Sequence, residues 1–249
     1  MKIVDATWEK RNLDIRAVEV HLAENEVDDF LLMSSSLERE YDYLLLKIPV
    51  GDIGLLIALQ ENGFFFAETI IKCQARVDSL RIKPIYTRVL NFTSAELASK
   101  EEQDLIKTNI KKEMFVTDRI SLDPRFGANS GANRYVGMLE DEQRAGGKLF
   151  VLKFRDECAG FFTLKKKPDT KNVYVAALGG IFPEFQNIGL GAIMNILELN
   201  SVANMGGQIV ETAFSTNNRA AMATHLELGY NLISQEYVLV KHARNYEQH

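Results

Sequence analysis

Val175-Ala176-Ala177-Leu178-Gly179-Gly180-Ile181-Phe182-Pro183-Glu184-Phe185-Gln186-Asn187-Ile188-Gly189-Leu190-Gly191-Ala192 is the stretch from which the fold is read. It starts as an apolar, strand-like run and stops at Pro183. A short turn follows, and Gly189-x-Gly191 leads into a helix. Glycines let backbone N–H groups approach a ligand closely, and a helix N-terminus favours an anion. No Asp, Glu, Lys or Arg occurs between Phe185 and Leu197. An anion here would be held by backbone N–H groups and the helix dipole alone. A tight strand-to-helix turn without a ligand explains the two glycines equally well.

Upstream, Ala17 to Val20 reads as a strand, Val27 to Met33 as a helix and Tyr43 to Pro49 as a strand buried on both faces. Asp52 opens a helix whose inner residues are Ile53, Leu56, Ile57 and Leu59. Gly63 ends it, and Phe64 to Ile71 is the next strand. Tyr86 to Phe92 reads as a strand, and Ser94 as the cap of a helix carrying Leu97, Leu105, Ile106 and Ile110. Residues 118–133 look irregular, and Arg134 to Gln143 helical. Three antiparallel strands are expected over 148–154, 159–165 and 172–182. A helix over 190–205, a strand over 208–215, a helix over 219–228 and a strand over 237–240 complete the chain. The pattern predicts an α/β (α+β) fold with a mixed, partly antiparallel sheet.

The chain has 249 residues, 46% hydrophobic and 25% charged, an ordinary globular composition. Net charge is -5 and the pI about 5.5, so no nucleic-acid partner is expected. No apolar run reaches the roughly 18–20 residues of a membrane span. Asp5, Glu9, Lys10, Arg11 and Asp14 interrupt the N-terminus, so a signal peptide is not expected. The two cysteines, Cys73 and Cys158, read as buried thiols of a cytoplasmic protein. His21, His242 and His249 show no metal-ligand spacing and read as surface residues; no metal is expected.

Gln186-x-x-Gly189-x-Gly191-Ala192, with Asn217-Asn218 after the next strand and a helix ending Leu228-Gly229-Tyr230, resembles the GNAT acyltransferase superfamily. The likeness runs from about Ile85 to the C-terminus. It implies a centrally splayed sheet and acetyl-coenzyme A as co-substrate. N–H groups of Gln186, Asn187, Ile188, Gly189, Leu190, Gly191 and Ala192 would take the pyrophosphate. The backbone of Gly180, Ile181 and Phe182 would pair with the pantetheine arm, which Asn218 would also contact.

The first third, with Trp8, Tyr43 to Pro49 and Leu59 to Phe64, is similar to the extra domain of the two-domain TDP-fucosamine acetyltransferase-like group, as are Phe115 to Pro124 and Arg134-Tyr135. This implies a smaller N-terminal α/β domain (1–84) before the acetyltransferase domain (85–249). The acceptor would be a small-molecule amine, such as that of a nucleotide-linked amino sugar. A shared scaffold with another acceptor (amino acid, polyamine, antibiotic, protein N-terminus) is the alternative, and a non-catalytic acyl-coenzyme A sensor is a third reading. Sheet-edge pairing would permit a homodimer.

Acyl transfer to an amine needs a base to free the nitrogen and an acid for the leaving thiolate. The superfamily's acid is often a Tyr four positions before the Gly of Gly-Phe; here that position is His225, with Tyr230 and Tyr237 as fallback donors. Glu211 and Glu68 are the candidate bases. Arg119, Arg125 and Arg134 suit a substrate diphosphate, a guanidinium fork matching phosphate oxygens.

Overall fold

Phe161 and Phe162 are adjacent and both fully buried, so they lie on opposite faces of one covered strand. That strand, β7 (Glu157–Lys166), sets the layers. A computed structural model of the chain describes residues 1–23, 25–112 and 114–243. Phe162 packs with Leu190, Ile193, Ile196 and Leu199 of α8 (Leu190–Asn204). Phe161 packs with Ile106 and Ile110 of α5 (Lys100–Ile110) and Leu139 of α7 (Ser130–Arg144).

The same alternation governs β3 (Tyr43–Pro49). Leu44, Leu46 and Ile48 face α2 (Val27–Glu40) and α3 (Ile53–Glu61). Tyr43 and Leu45 face α6 (Arg119–Leu122), through Ile120, and α1 (Thr7–Leu13), through Trp8. Helices α1, α5, α6 and α7 thus cover one face of the sheet. On the other lie α2, α3, α8, α4 (Pro84–Leu90) and α9 (Arg219–Leu228). Among the described residues, no helix is long and apolar enough to cross a membrane.

The remaining strands are β1 (Lys2–Asp5), β2 (Ala17–His21), β4 (Phe65–Arg76), β5 (Thr93–Leu97), β6 (Lys148–Phe154), β8 (Val173–Ala176), β9 (Gly179–Ile181), β10 (Ile209–Ser215) and β11 (Asn231–His242). The sheet runs β1-β2-β3-β11-β4-β10-β8-β7-β6-β5, with β9 paired to β7. It is mixed: β2–β3 and β8–β10 are parallel, the other pairs antiparallel. The first 84 residues supply β1 to β4, and β4 lies between β11 and β10.

Several expectations are corrected. Residues 86–92 are not a strand: Pro84 starts α4 at its first turn. Tyr86, Val89 and Leu90, at helical spacing, turn toward the α8 core. Ser94 caps nothing, because it lies in β5; Ser99 caps α5, accepting from the Glu102 N–H while the Glu102 carboxylate accepts from the Ser99 N–H. The 172–182 strand is two strands broken at Ala177-Leu178. Residues 118–133 are not irregular throughout, since they hold α6 and the start of α7. His242 is half-buried rather than a surface residue: its side chain sits beside Tyr43 and Phe126, with its Nε2 2.9 Å from Asp123 Oδ2. His249 lies outside the described residues. Cys73 is buried as expected, but Cys158 is only half-buried.

Candidate active site

The site begins where a parallel pair comes apart. Strands β8 and β10 pair from Val173↔Ile209 to Ala176↔Thr212 and no further. At Ala177-Leu178 the chain leaves β10. Thr163, fully buried on β7, holds the break: its N–H donates to the Leu178 carbonyl at 2.8 Å, and its Oγ1 accepts from the Leu178 N–H at 3.2 Å. Beyond it β9 pairs with β7 alone. Ala213 to Ser215 stay paired to β4 on their other side. A gap opens between them.

A cavity of about 270 Å³ occupies this gap. Its strand walls are Ala176 to Gly179, Thr212 to Ser215, and Glu68 and Ile70 of β4. On one face it is closed by Met194, Asn195 and Glu198 of α8 and by Ala221 and His225 of α9. On the other it is closed by Phe115, Asp118, Arg119, Arg134 and Tyr135. Since α8 and α9 cover one side of the sheet and α6 and α7 the other, the cavity passes through the sheet.

One turn before Met194 lies the expected turn. Gln186 to Gly189 are exposed. Asn187 has φ 63° and Gly189, the N-cap, φ 86°, left-handed values that glycine adopts without strain. No side chain caps α8. The first N–H groups of a 15-residue helix are therefore free for an anion. The Gln186 side chain folds back and donates to the Ile181 carbonyl. Gly180, Ile181 and Phe182 are outside the cavity wall, and Phe182 is buried in the α5–α7 core.

Asn218 does line the cavity, and it caps α9 by accepting from the Ala221 N–H at 3.0 Å. Asn218→Ala is expected to lower folding stability by about 1 kcal/mol, and Asn218→Asp to retain it, as read by thermal unfolding.

His225 is buried between two partners. Its Nδ1 lies 2.7 Å from the Ala221 carbonyl oxygen, which can only accept, so Nδ1 carries the proton. Its Nε2 then accepts from the Asn195 amide at 3.2 Å. Burial lowers its pKa and keeps the ring neutral. In this arrangement the imidazole presents no proton to the cavity. Tyr230 lies edge-on to His225 within the α8 core, outside the cavity wall, and its hydroxyl has no partner among the described residues. Burial pushes that hydroxyl well above the ordinary tyrosine value. Glu211 is also outside the wall, and both its oxygens accept from Lys167. Burial raises both thiols, that of Cys73 to about 12, so neither is an activated nucleophile.

Arg119 and Arg134 both line the cavity, each tied to a buried carboxylate from the first third of the chain. Arg119 Nη1 donates to Glu68 Oε1 at 3.2 Å, and Arg134 Nε to Glu9 Oε1 at 2.7 Å. Two glycines of α7 allow the approach. A Cβ at Gly131 would collide with Ser121 of α6, and one at Gly137 with Asn12 of α1. Arg125 is elsewhere, bound to Asp123 and lying over the Phe65 ring. Phe115 and Tyr135 stack at 4.1 Å beside the two arginines.

Glu198 belongs to none of the sequence motifs. It is 4% exposed, lines the cavity and makes no hydrogen bond to any described residue. Burial raises its pKa to about 8, so it is mostly protonated at neutral pH. A signal was present: Glu198 is the one charged residue in the α8 sequence.

No protein-family model matches the chain, and no functionally curated protein does. Solved structures do. A GCN5-related N-acetyltransferase from Sphaerobacter thermophilus superposes with a TM-score of 0.63 at 10% identity, over 98% of this chain and 76% of that one. A conserved protein of unknown function from Staphylococcus epidermidis gives 0.60 at 14%, over 92% and 85%. A GCN5-related N-acetyltransferase from Kribbella flavida gives 0.57 at 17%, over 91% and 81%. The chain therefore has the fold of the GCN5-related N-acetyltransferases, as its Gly-turn motif implied.

Proposed function

We propose that the protein is an acetyl-coenzyme A-dependent N-acetyltransferase acting on a primary amine of a small molecule. The observation that carries this reading is the through-sheet cavity at the parted β8–β10 pair. A linear thioester arm fits between strand edges that have lost their partners, since its amides can use the free backbone groups. The uncapped α8 N-terminus suits the coenzyme's pyrophosphate. From that side the thioester would reach the cavity, and the amine would enter from the Arg119–Arg134 side. Direct attack on the thioester needs no covalent enzyme intermediate, in keeping with two raised thiols.

For the acceptor, the two arginines and the Phe115–Tyr135 stack favour an anionic, partly apolar molecule. A nucleotide-linked amino sugar, as in the TDP-fucosamine acetyltransferase-like group, has a diphosphate for the guanidinium groups. Residues 1–84 would shape this pocket, because Glu9 and Glu68 hold the arginines. The sensor reading draws on one observation, that His225 offers no proton to the cavity. Thiol release from acetyl-coenzyme A, measured over dTDP-linked amino sugars, polyamines, amino acids, aminoglycosides and peptide N-termini, separates the readings. Turnover fastest with a nucleotide-linked amino sugar is expected. A preference for an uncharged amine would contradict the acceptor assignment, and binding of acetyl-coenzyme A without thiol release would favour the sensor.

A further inference from the structure

With His225 bonded at both nitrogens, the α8–α9 wall of the cavity still needs a group that can release a proton. Asn195 gives its N–H to His225, and the Tyr230 ring is behind the wall. Glu198 is different. It shares the wall with Ala176 and Thr212, the last register pair before the strands part. It is more than nine-tenths buried, and no described residue takes or gives it a hydrogen bond. Its oxygens are not sealed in the core but reach the open cavity, where a bound ligand or water can partner them.

We propose that Glu198, as a neutral carboxylic acid, donates the proton that the departing thiolate receives. The assignment rests on the N-acetyltransferase reading above. The amine nitrogen forms the C–N bond, and the C–S electron pair leaves on sulfur. The Glu198 O–H proton passes to sulfur to give the thiol. The proton lost by the new amide nitrogen returns the carboxylate to its acid form, directly or through water, so atoms and charges balance over the cycle.

The surroundings support a neutral acid. Cys73 of β4 and Tyr230 lie close enough to feel its charge, and neither is ionised at neutral pH. His225 of α9 is neutral too. Across the cavity the Arg119 charge is paired with Glu68, and Arg134 with Glu9. No unpaired cation in the wall holds Glu198 ionised. Burial alone sets its value at about 8, against 4.5 in the unfolded chain. The acid form is therefore present below pH 8 and lost as pH rises through it. The same linkage makes its contribution to stability full below pH 4.5 and lost through about pH 8.

The test compares wild type with Glu198→Gln, which keeps the shape and removes the acid. Acetyl-coenzyme A binding is measured calorimetrically. Thiol release is followed from pH 6 to 10, first with water as the acyl acceptor and then with the best amine. The expected result is near-equal binding, roughly 100-fold slower release in the variant, and loss of the decline above pH 8. A thioester with a more acidic leaving thiol should recover most of the rate. E198Q should also gain thermal stability relative to wild type as pH rises from about 4.5 to 8, with no further gain above that. Equal rates, a decline above pH 8 that persists in the variant, or an equal loss with the activated thioester would overturn the assignment and leave the N-acetyltransferase reading standing. Failure of the wild type to bind acetyl-coenzyme A would overturn both.

Discussion

Replacing Gly191 with aspartate is expected to weaken acetyl-coenzyme A binding at least roughly 30-fold while leaving the fold intact. A unit charge about 8 Å from a phosphate, at an effective dielectric near 20, costs about 2 kcal/mol, or roughly 30-fold in affinity. Gly191 is the second helical residue of α8. A Cβ there meets nothing closer than Thr224 Oγ1 at 3.9 Å. A carboxylate at a helix N-terminus also interacts favourably with the helix dipole, by about 0.3–1 kcal/mol. Stability and affinity should therefore move in opposite directions. Calorimetric titration beside thermal unfolding reads both, and unchanged affinity would remove the α8 turn from the coenzyme site.

The second large effect concerns Glu9. Its carboxylate, 4% exposed, accepts from Arg134, 9% exposed, at 2.7 Å. Removing one member of a buried ion pair leaves the other charge uncompensated, at a cost of about 3–5 kcal/mol. The open cavity beside Arg134 gives water some access, so Glu9→Ala is expected near 3 kcal/mol in urea unfolding. Glu9→Gln keeps an acceptor and should lose less. The double variant Glu9→Ala/Arg134→Leu should recover much of the loss, because no charge is stranded. A single-variant loss under 1 kcal/mol would show that the pair does not hold α1 to α7. Acceptor KM should rise in Glu9→Ala and in the double variant, while acetyl-coenzyme A affinity stays as in wild type.

Local features were the legible ones. Asp52, Gly63, Gly189, Asn218 and Gly229 do what their residue types suggest, because caps and left-handed positions depend on a few neighbouring residues. Residues 86–92 misled because Tyr86, Val89 and Phe92 favour strands by propensity, whereas Pro84 and packing on α8 decide for a helix. Ser99 rather than Ser94 caps α5 because Glu102, three residues on, completes the capping box, whereas Ser94 is drawn into β5 by its pairing with β6. The break at Ala177-Leu178 was hidden because Thr163, which fixes it, is 15 residues away in sequence. The pairing of Glu9 with Arg134 spans 125 residues and no local pattern announces it. His225 was found at its motif position, but its neutrality follows from Asn195 and Ala221, which only the packed helices bring to it.

Titration of the wild-type protein with acetyl-coenzyme A tests the central claim most directly. The expected result is one saturable site per chain, with a Kd in the roughly micromolar to sub-millimolar range common for enzyme substrates. Absence of saturable binding at millimolar coenzyme would contradict the claim that the parted β8–β10 pair and the α8 N-terminus form an acyl-coenzyme A site.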